Sequence, residues 1–268
     1  MQRRFDFAVL FAFLLAFAAP TSAQWANVPS PTTPKLPDGK PNLGAPAPRT
    51  ADGKPSLAGI WTRVPPNLPP RPVGTPNNLV DWLVRGSEIS MQPWAEELFK
   101  RRSEINLGGG RPSERCLPHS IPDAMLPGVL FKFVQIPGLT LLLYEEFNHF
   151  RQIFTDGRTF AVNDPPPPSW FGYSTGRWDG DTFVVDTTGF NDQSWLDDSG
   201  HPHTEAMRTT ERFLRRDFGH MDLTVTIDDP KAYNKPWSVN IPLRLVQDVE
   251  FIEDVCDNER DSSHIPLK

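Results

Sequence analysis

The chain has 268 residues, 38% hydrophobic and 22% charged, with 30 prolines and a formal net charge of -6. Its basic residues are scattered over an acidic background, which argues against a nucleic-acid footprint and against an anionic polymer as partner. Once targeting and proline-rich segments are set aside, roughly 170 to 190 residues remain, enough for one domain of ordinary size.

Residues 1–23 carry Arg3 and Arg4, an apolar run over 7–19 and the small residues Thr21, Ser22 and Ala23, the pattern of a cleavable secretory signal. The mature chain is therefore expected to begin near Gln24 and to be exported, periplasmic or extracellular. No later run approaches the roughly 18 to 20 apolar residues that a membrane span needs. Residues 24–77 read as an extended arm, because residues 29–76 hold 14 of the 30 prolines and such density blocks helix interiors and central strands. Within the arm DGKPNL at 38–43 recurs as DGKPSL at 52–57. Gly59, Ile60 and Trp61 follow, and Trp61 is expected to dock on the core, since an exposed Trp and Ile pair is costly to leave in water.

Residues 78–268 form the expected domain. It begins with one or two short helices, over 78–85 and 93–105. Pro93 suits a first turn, Trp94, Leu98 and Ile105 give an apolar stripe, and Glu96 and Glu97 precede Lys100, Arg101 and Arg102 as the helix dipole favours. Gly108, Gly109 and Gly110 stop the second helix. Residues 112–127 read as irregular chain. Cys116 and Cys256 are the only two cysteines, and an even pair in an exported chain is most simply a disulfide. The alternative is a nucleophilic Cys116.

Nine strands follow with turn signals at short spacing, near 131–136, 139–145, 149–155, 170–178, 181–188, 208–216, 221–228, 237–246 and 249–256. Short links imply an antiparallel meander, and that many strands usually remove their edges by closing. The expected fold is mainly β, a lipocalin-like barrel preceded by the arm and helices, with a two-sheet sandwich as the alternative. Asp179-Gly180 is the clearest hairpin turn. Placed as a two-residue loop, it sets Trp178 against Asp181, Arg177 against Thr182 and Tyr173 against Asp186, and it leaves Gly176 and Gly172 where a bulky group can approach the backbone. The face with Arg177, Tyr173 and Asp186 is either solvated or the lining of a polar lumen.

Candidate chemistry clusters on these strands. His149 and Arg151 share a strand face with Ile153. Glu211 shares a face with Phe213, so it needs a partner or a raised pKa; it is the first candidate for a general acid or base, or else it closes a buried ion pair with an arginine. His201 and His203 lie two apart, close enough on an extended chain to grip one metal, while Glu205 lies too far along a straight strand to join them. A polar loop is the alternative for that run. The candidate catalytic set is thus His149, Arg151, Tyr173, Asp186, His203 and Glu211. Trp170, Trp178, Trp195 and Arg177 are candidate substrate contacts. No nucleotide cofactor is expected, since the chain lacks a P-loop, a Gly-x-Gly-x-x-Gly and a Gly-x-Ser-x-Gly elbow; a divalent metal remains open.

The segments DGKPSLAGIW (52–61), FRQIFTDGR (150–158), GYSTGRWDGDTFVVDTTGF (172–190) and GHPHTE (200–205) together resemble a large group of exported bacterial proteins. The resemblance covers nearly the whole mature chain. It implies a compact exported domain and transfers no mechanism. The residues themselves lead to a barrel that acts on a small aromatic or amphipathic molecule by general acid-base chemistry, such as elimination, isomerisation or hydrolysis, with a non-catalytic carrier or sensor, or a structural envelope protein, as alternatives.

Overall fold

Strand β8, His220–Asp228, shows how the barrel is made: Met221, Leu223, Val225 and Ile227 are buried and alternate with residues that are more open to solvent. Its neighbour β9, Trp237–Val246, repeats the pattern with Trp237, Val239, Ile241 and Leu243. A period of two that places only one face in the core is what a half-covered strand requires. The computed structural model describes residue 30 and residues 32–69, 71–72, 75–105, 111–161, 163 and 165–256. The expected signal segment at 1–23 and the glycines at 108–110 lie outside these, as does the side chain of Ile105.

The chain divides into two units. In the smaller one, built on residues up to Thr32 and on 247–250, the Ser30 amide donates to the Asp248 carboxylate at 2.9 Å. The larger unit, residues 33–246 with the chain after 250, holds a closed barrel of nine strands in sequence order. These are β1 Gly59–Arg63, β2 Phe131–Ile136, β3 Leu139–Tyr144, β4 Phe150–Phe154, β5 Tyr173–Asp179, β6 Thr182–Thr188, β7 Arg208–Arg215, β8 and β9. Each is antiparallel to the next except β4 and β5, which run parallel and share only the pairs Ile153 with Ser174 and Phe154 with Thr175. Nine strictly alternating strands would bring β1 and β9 together parallel. The single parallel joint reverses that parity, so β1 and β9 close the ring antiparallel. A parallel joint needs a long crossover, and residues 155–172 supply it.

Four expectations change in detail. The ninth strand is Gly59–Arg63 at the start of the barrel, not 249–256, which contributes only a bridge from Asp254 to Glu146. The β5–β6 hairpin turns on Gly180 and Asp181, with Asp179 opposite Thr182 and Thr175 opposite Asp186. This is a slip of two residues, so every side chain keeps its expected face. Helix α1, Pro93–Ile105, buries Ala95 and half-buries Leu98 and Phe99, whereas Trp94 is exposed and donates its Nε1–H to the Lys231 carbonyl at 2.9 Å. The earlier helix is a 3-10 turn over Leu79–Trp82, capped by the Asn78 side chain.

The interior is filled by side chains. Phe133 of β2 meets Phe213 of β7 edge to face at 5.3 Å, and these strands stand on different sides of the ring. The two ends differ in kind. At one end the reversals β2–β3, β5–β6 and β7–β8 are tight, and the duplicated arm segments pack there. Each copy closes the same turn, Lys35 bridging Pro41 and Arg49 bridging Pro55; Leu57 is fully buried, and Arg215 stacks on Trp61 at 4.9 Å while donating to the Ser56 carbonyl. The opposite end carries the long connections, residues 64–130, 145–149, 189–207 and 229–236.

Candidate functional site

The long-connection end brings together most of the ionisable side chains that lie out of water. Two centres can be distinguished, a polar knot inside the barrel wall with a cleft beside it, and a histidine–aspartate cluster among the loops.

The knot begins with Arg151. The alternation of β4 turns Arg151 and Ile153 inward and leaves Phe150 and Gln152 outside. From there the guanidinium crosses the inner face of β5 and β6. Its Nε donates to Ser174 Oγ at 3.0 Å, one terminal nitrogen donates to Thr187 Oγ1 at 2.7 Å, and the two terminal nitrogens donate to Glu211, at 3.0 Å to Oε1 and 2.5 Å to Oε2. Both charged groups are essentially excluded from water. Burial works against the Arg151 charge, but the Glu211 carboxylate outweighs it and raises the Arg151 pKa. The Tyr144 hydroxyl faces this pair without forming a hydrogen bond, and its burial pushes its pKa up. Glu211 therefore has the partner that its position demands. With both oxygens held by one guanidinium, it is built as one half of a tie between strands.

Where β4 and the chain before β5 diverge from their two-pair joint, the wall opens into a cleft of about 470 Å³. Phe150, Phe154, Trp170, Phe171 and Tyr173 form its walls together with His149, and Arg151 and Ser174 form its floor. Phe150, on the outer side of this wall, is 59% exposed. Behind the wall Phe171 stacks on Tyr144 at 5.3 Å and lies 6.2 Å from His149.

Of the other candidates, Asp186 and Arg177 form an ion pair on the outer, solvated face of the hairpin, and Asp186 also accepts from Thr210 at 2.7 Å. Tyr173 and Asp186 border a second, smaller groove of about 320 Å³ on that outer face, which Phe160 overhangs. Trp178 is half-buried against Phe183. The glycine of β5 admits parts of the protein's own core: a Cβ on Gly176 would lie 2.6 Å from Phe183 and 2.9 Å from Ile153.

The second centre is assembled from loops. His119 and Asp123 face each other across a tight turn, with His119 Nδ1 against Asp123 Oδ2, and Glu146 lies 3.2 Å from His119 Nε2. Residues 119–126 are all buried, although only a 3-10 turn over Asp123–Met125 orders them. Burial opposes the His119 imidazolium, but Asp123 and Glu146 hold its pKa well above the ordinary value. Burial also pushes the Asp123 carboxyl up, to about 7, against the pull of His119. From the 189–207 loop come Asp197 and Asp198. Asp197 is saturated: Oδ1 accepts from the amides of Gly200 and His201, and Oδ2 from the Leu79 amide and His201 Nδ1, both at 2.7 Å. Asp198 Oδ2 accepts from Asn77 at 3.1 Å and lies 3.4 Å from Arg111.

Helix α1 backs this loop. Phe99 lies against the His201 ring at 4.3 Å, and Arg102 lies over Trp195 at 4.8 Å. Gly200 permits the approach, with φ +104° and only 2.6 Å between a built Cβ and the Arg102 Cβ. His203 takes a different set of partners, with Nε2 accepting from Ser194 Oγ at 2.7 Å and Nδ1 near the Thr204 carbonyl. Its burial lowers its pKa and keeps the ring neutral. His201 and His203 thus belong to separate hydrogen-bond sets, and among the described residues no trio of ligating side chains includes either of them. The trio that does meet is His119, Asp123 and Asp198. Sequence reasoning passed over these residues. The available signal was a mirrored pair of i,i+4 spacings, His119 to Asp123 and Asp197 to His201.

Comparison of the chain with protein-family models, with curated proteins and with solved structures gives no match.

Proposed function

We propose that the protein is an exported binder of a small aromatic or amphipathic molecule, a carrier or sensor, and that the ligand sits in the cleft beside the β4–β5 joint. The observation that carries this is the cleft itself: about 470 Å³, walled by Phe150, Phe154, Trp170, Phe171 and Tyr173 over a polar floor, the composition and size of small-molecule sites. Because Glu211 already neutralises Arg151, the floor favours a ligand with an uncharged polar group, such as a hydroxyl or carbonyl, over a carboxylate. Export is supported by the signal pattern at 1–23 and by the Cys116–Cys256 disulfide. No helix among the described residues is long and apolar enough to cross a membrane.

The test is titration of the mature protein with N-phenyl-1-naphthylamine, a neutral aromatic probe. Its fluorescence should rise on binding, and Phe150→Ala and Trp170→Ala should each weaken binding about tenfold, the loss of roughly 1.5 kcal/mol of apolar contact. Undiminished probe binding in both variants would remove the cleft from consideration. Acid-base turnover is the alternative, favoured by His149 on the same wall. It requires chemical conversion of a bound ligand that His149→Gln abolishes while probe binding persists.

A further inference from the structure

We propose that His119, Asp123 and Asp198 form a binding site for one divalent transition-metal ion. One ligating atom from each side chain lies within 4.8 Å of the others. In a tetrahedral shell with ligands at about 2.0 to 2.2 Å from the ion, the ligand atoms stand roughly 3.3 to 3.6 Å apart, so the widest pair must close by up to about 1.5 Å, a shift within reach of side-chain rotation, to bring the set to bonding distance.

The cluster has more than proximity. Asp123 is 4% exposed, and its Oδ1 is buried without a hydrogen-bond partner. A buried carboxylate oxygen with no donor is costly unless a cation or water meets it. The three side chains line a void of about 10 Å³, the scale of a single water or ion. Asp197, which borders the same void, has both oxygens occupied by donors, so it fixes the loop that presents Asp198 and offers no free ligand. Glu146 stands at the opposite nitrogen of the His119 ring. A carboxylate in that place orients a ligating histidine by accepting its second N–H, which leaves Nδ1, the nitrogen on the Asp123 side, to bind the ion.

The donor set selects the metal class. Calcium and magnesium take oxygen ligands, whereas an imidazole beside two carboxylates suits zinc, manganese or iron. Such an ion would join the buried 119–126 segment to the 189–207 loop. The site is separate from the ligand cleft, although Pro118 borders both, and it stands or falls independently of ligand binding.

The experiment uses mature, disulfide-intact protein purified without a metal-affinity step, stripped with chelator and then exposed to Zn2+ or Co2+ alone. Elemental analysis after gel filtration should find about one zinc per chain, the Zn2+ form should melt higher than the stripped form, and Co2+ should give visible absorption. Asp123→Asn and Asp198→Asn should each weaken Zn2+ binding by more than about 100-fold. Zinc retention at wild-type affinity in either variant would overturn the proposal. So would a wild-type protein that neither retains zinc nor changes its melting point at millimolar Zn2+, a result that stands even if the variants fail to fold. Calcium serves as the control, and preferential binding of Ca2+ over Zn2+ would also count against the assignment.

Discussion

Arg151 and Glu211 are buried together, with Ser174 and Thr187 completing the donor and acceptor count. A buried pair of this kind contributes less through its own attraction than through the damage done when one member is removed, since the survivor is then an unpaired charge out of water. Glu211→Gln or Arg151→Met alone should therefore destabilise the protein by about 3 to 5 kcal/mol in denaturant unfolding, and the double variant Arg151→Met with Glu211→Leu should lose less than either single one. Single variants within about 1 kcal/mol of the parent would show that the pair is not energetically coupled. The burial of Glu211 was legible because it shares a strand face with Phe213, and so was the alternative that an arginine closes on it; that Arg151 is that arginine depends on barrel curvature, which no spacing encodes. His119 and Asp123 were not legible. Their burial depends on the packing of a turn against loops that include Glu146 and Asp198, 27 and 79 positions beyond His119 in the chain, and a Pro-framed irregular stretch carries no periodicity from which to infer it.

At the level of strands, period and turn chemistry did most of the specifying. Eight of the expected strands formed, and the hairpin kept its faces because a slip of two residues preserves the alternation. The loop is Gly180-Asp181 instead of Asp179-Gly180, with Gly180 at φ +60°. Gly59–Arg63 became a strand because its partners are β2 and β9, both distant in sequence, and an edge made by such partners leaves no local mark. The stripe on α1 was misassigned for a related reason: Ala95 is small enough to let the helix approach the barrel, and Trp94 reaches back along the surface instead. Within β5, Gly176 has the hairpin's clearest steric role. Gly176→Ala would push a methyl into the Phe183 and Ile153 contacts, an overpacking that should cost about 1 to 3 kcal/mol in thermal or denaturant unfolding. Pairing the change with Phe183→Leu should recover part of the loss. If Gly176→Ala is as stable as the parent, the ring does not hold its place over that backbone.

On the scale of the whole molecule, Cys116 and Cys256 join the 64–130 connection to the chain beyond β9, with Cα atoms 5.7 Å apart and 140 positions between them. A loop that long is constrained by the bond mainly in the unfolded chain, so replacing both cysteines by serine should lower stability by about 2 to 5 kcal/mol. Proteolysis of the protein, purified from an oxidising compartment and not reduced, should release the two cysteine peptides linked, and two free thiols would contradict the pairing. The barrel class was readable from strand count and link length, whereas the parallel joint was not, because only the closing geometry of an odd ring demands it. Closure also imposes an order in time. Ile60 pairs with Val246, so the ring cannot be completed until the chain has been made as far as β9. Until then β1 and β9 are both open edges that could template pairing with other chains, and Trp61 lacks the far wall against which it packs. A chain that emerges from its N-terminus must therefore keep its first strand waiting for its last, and the proline-dense arm just before β1, unable to extend a sheet, limits what that strand can join in the meantime.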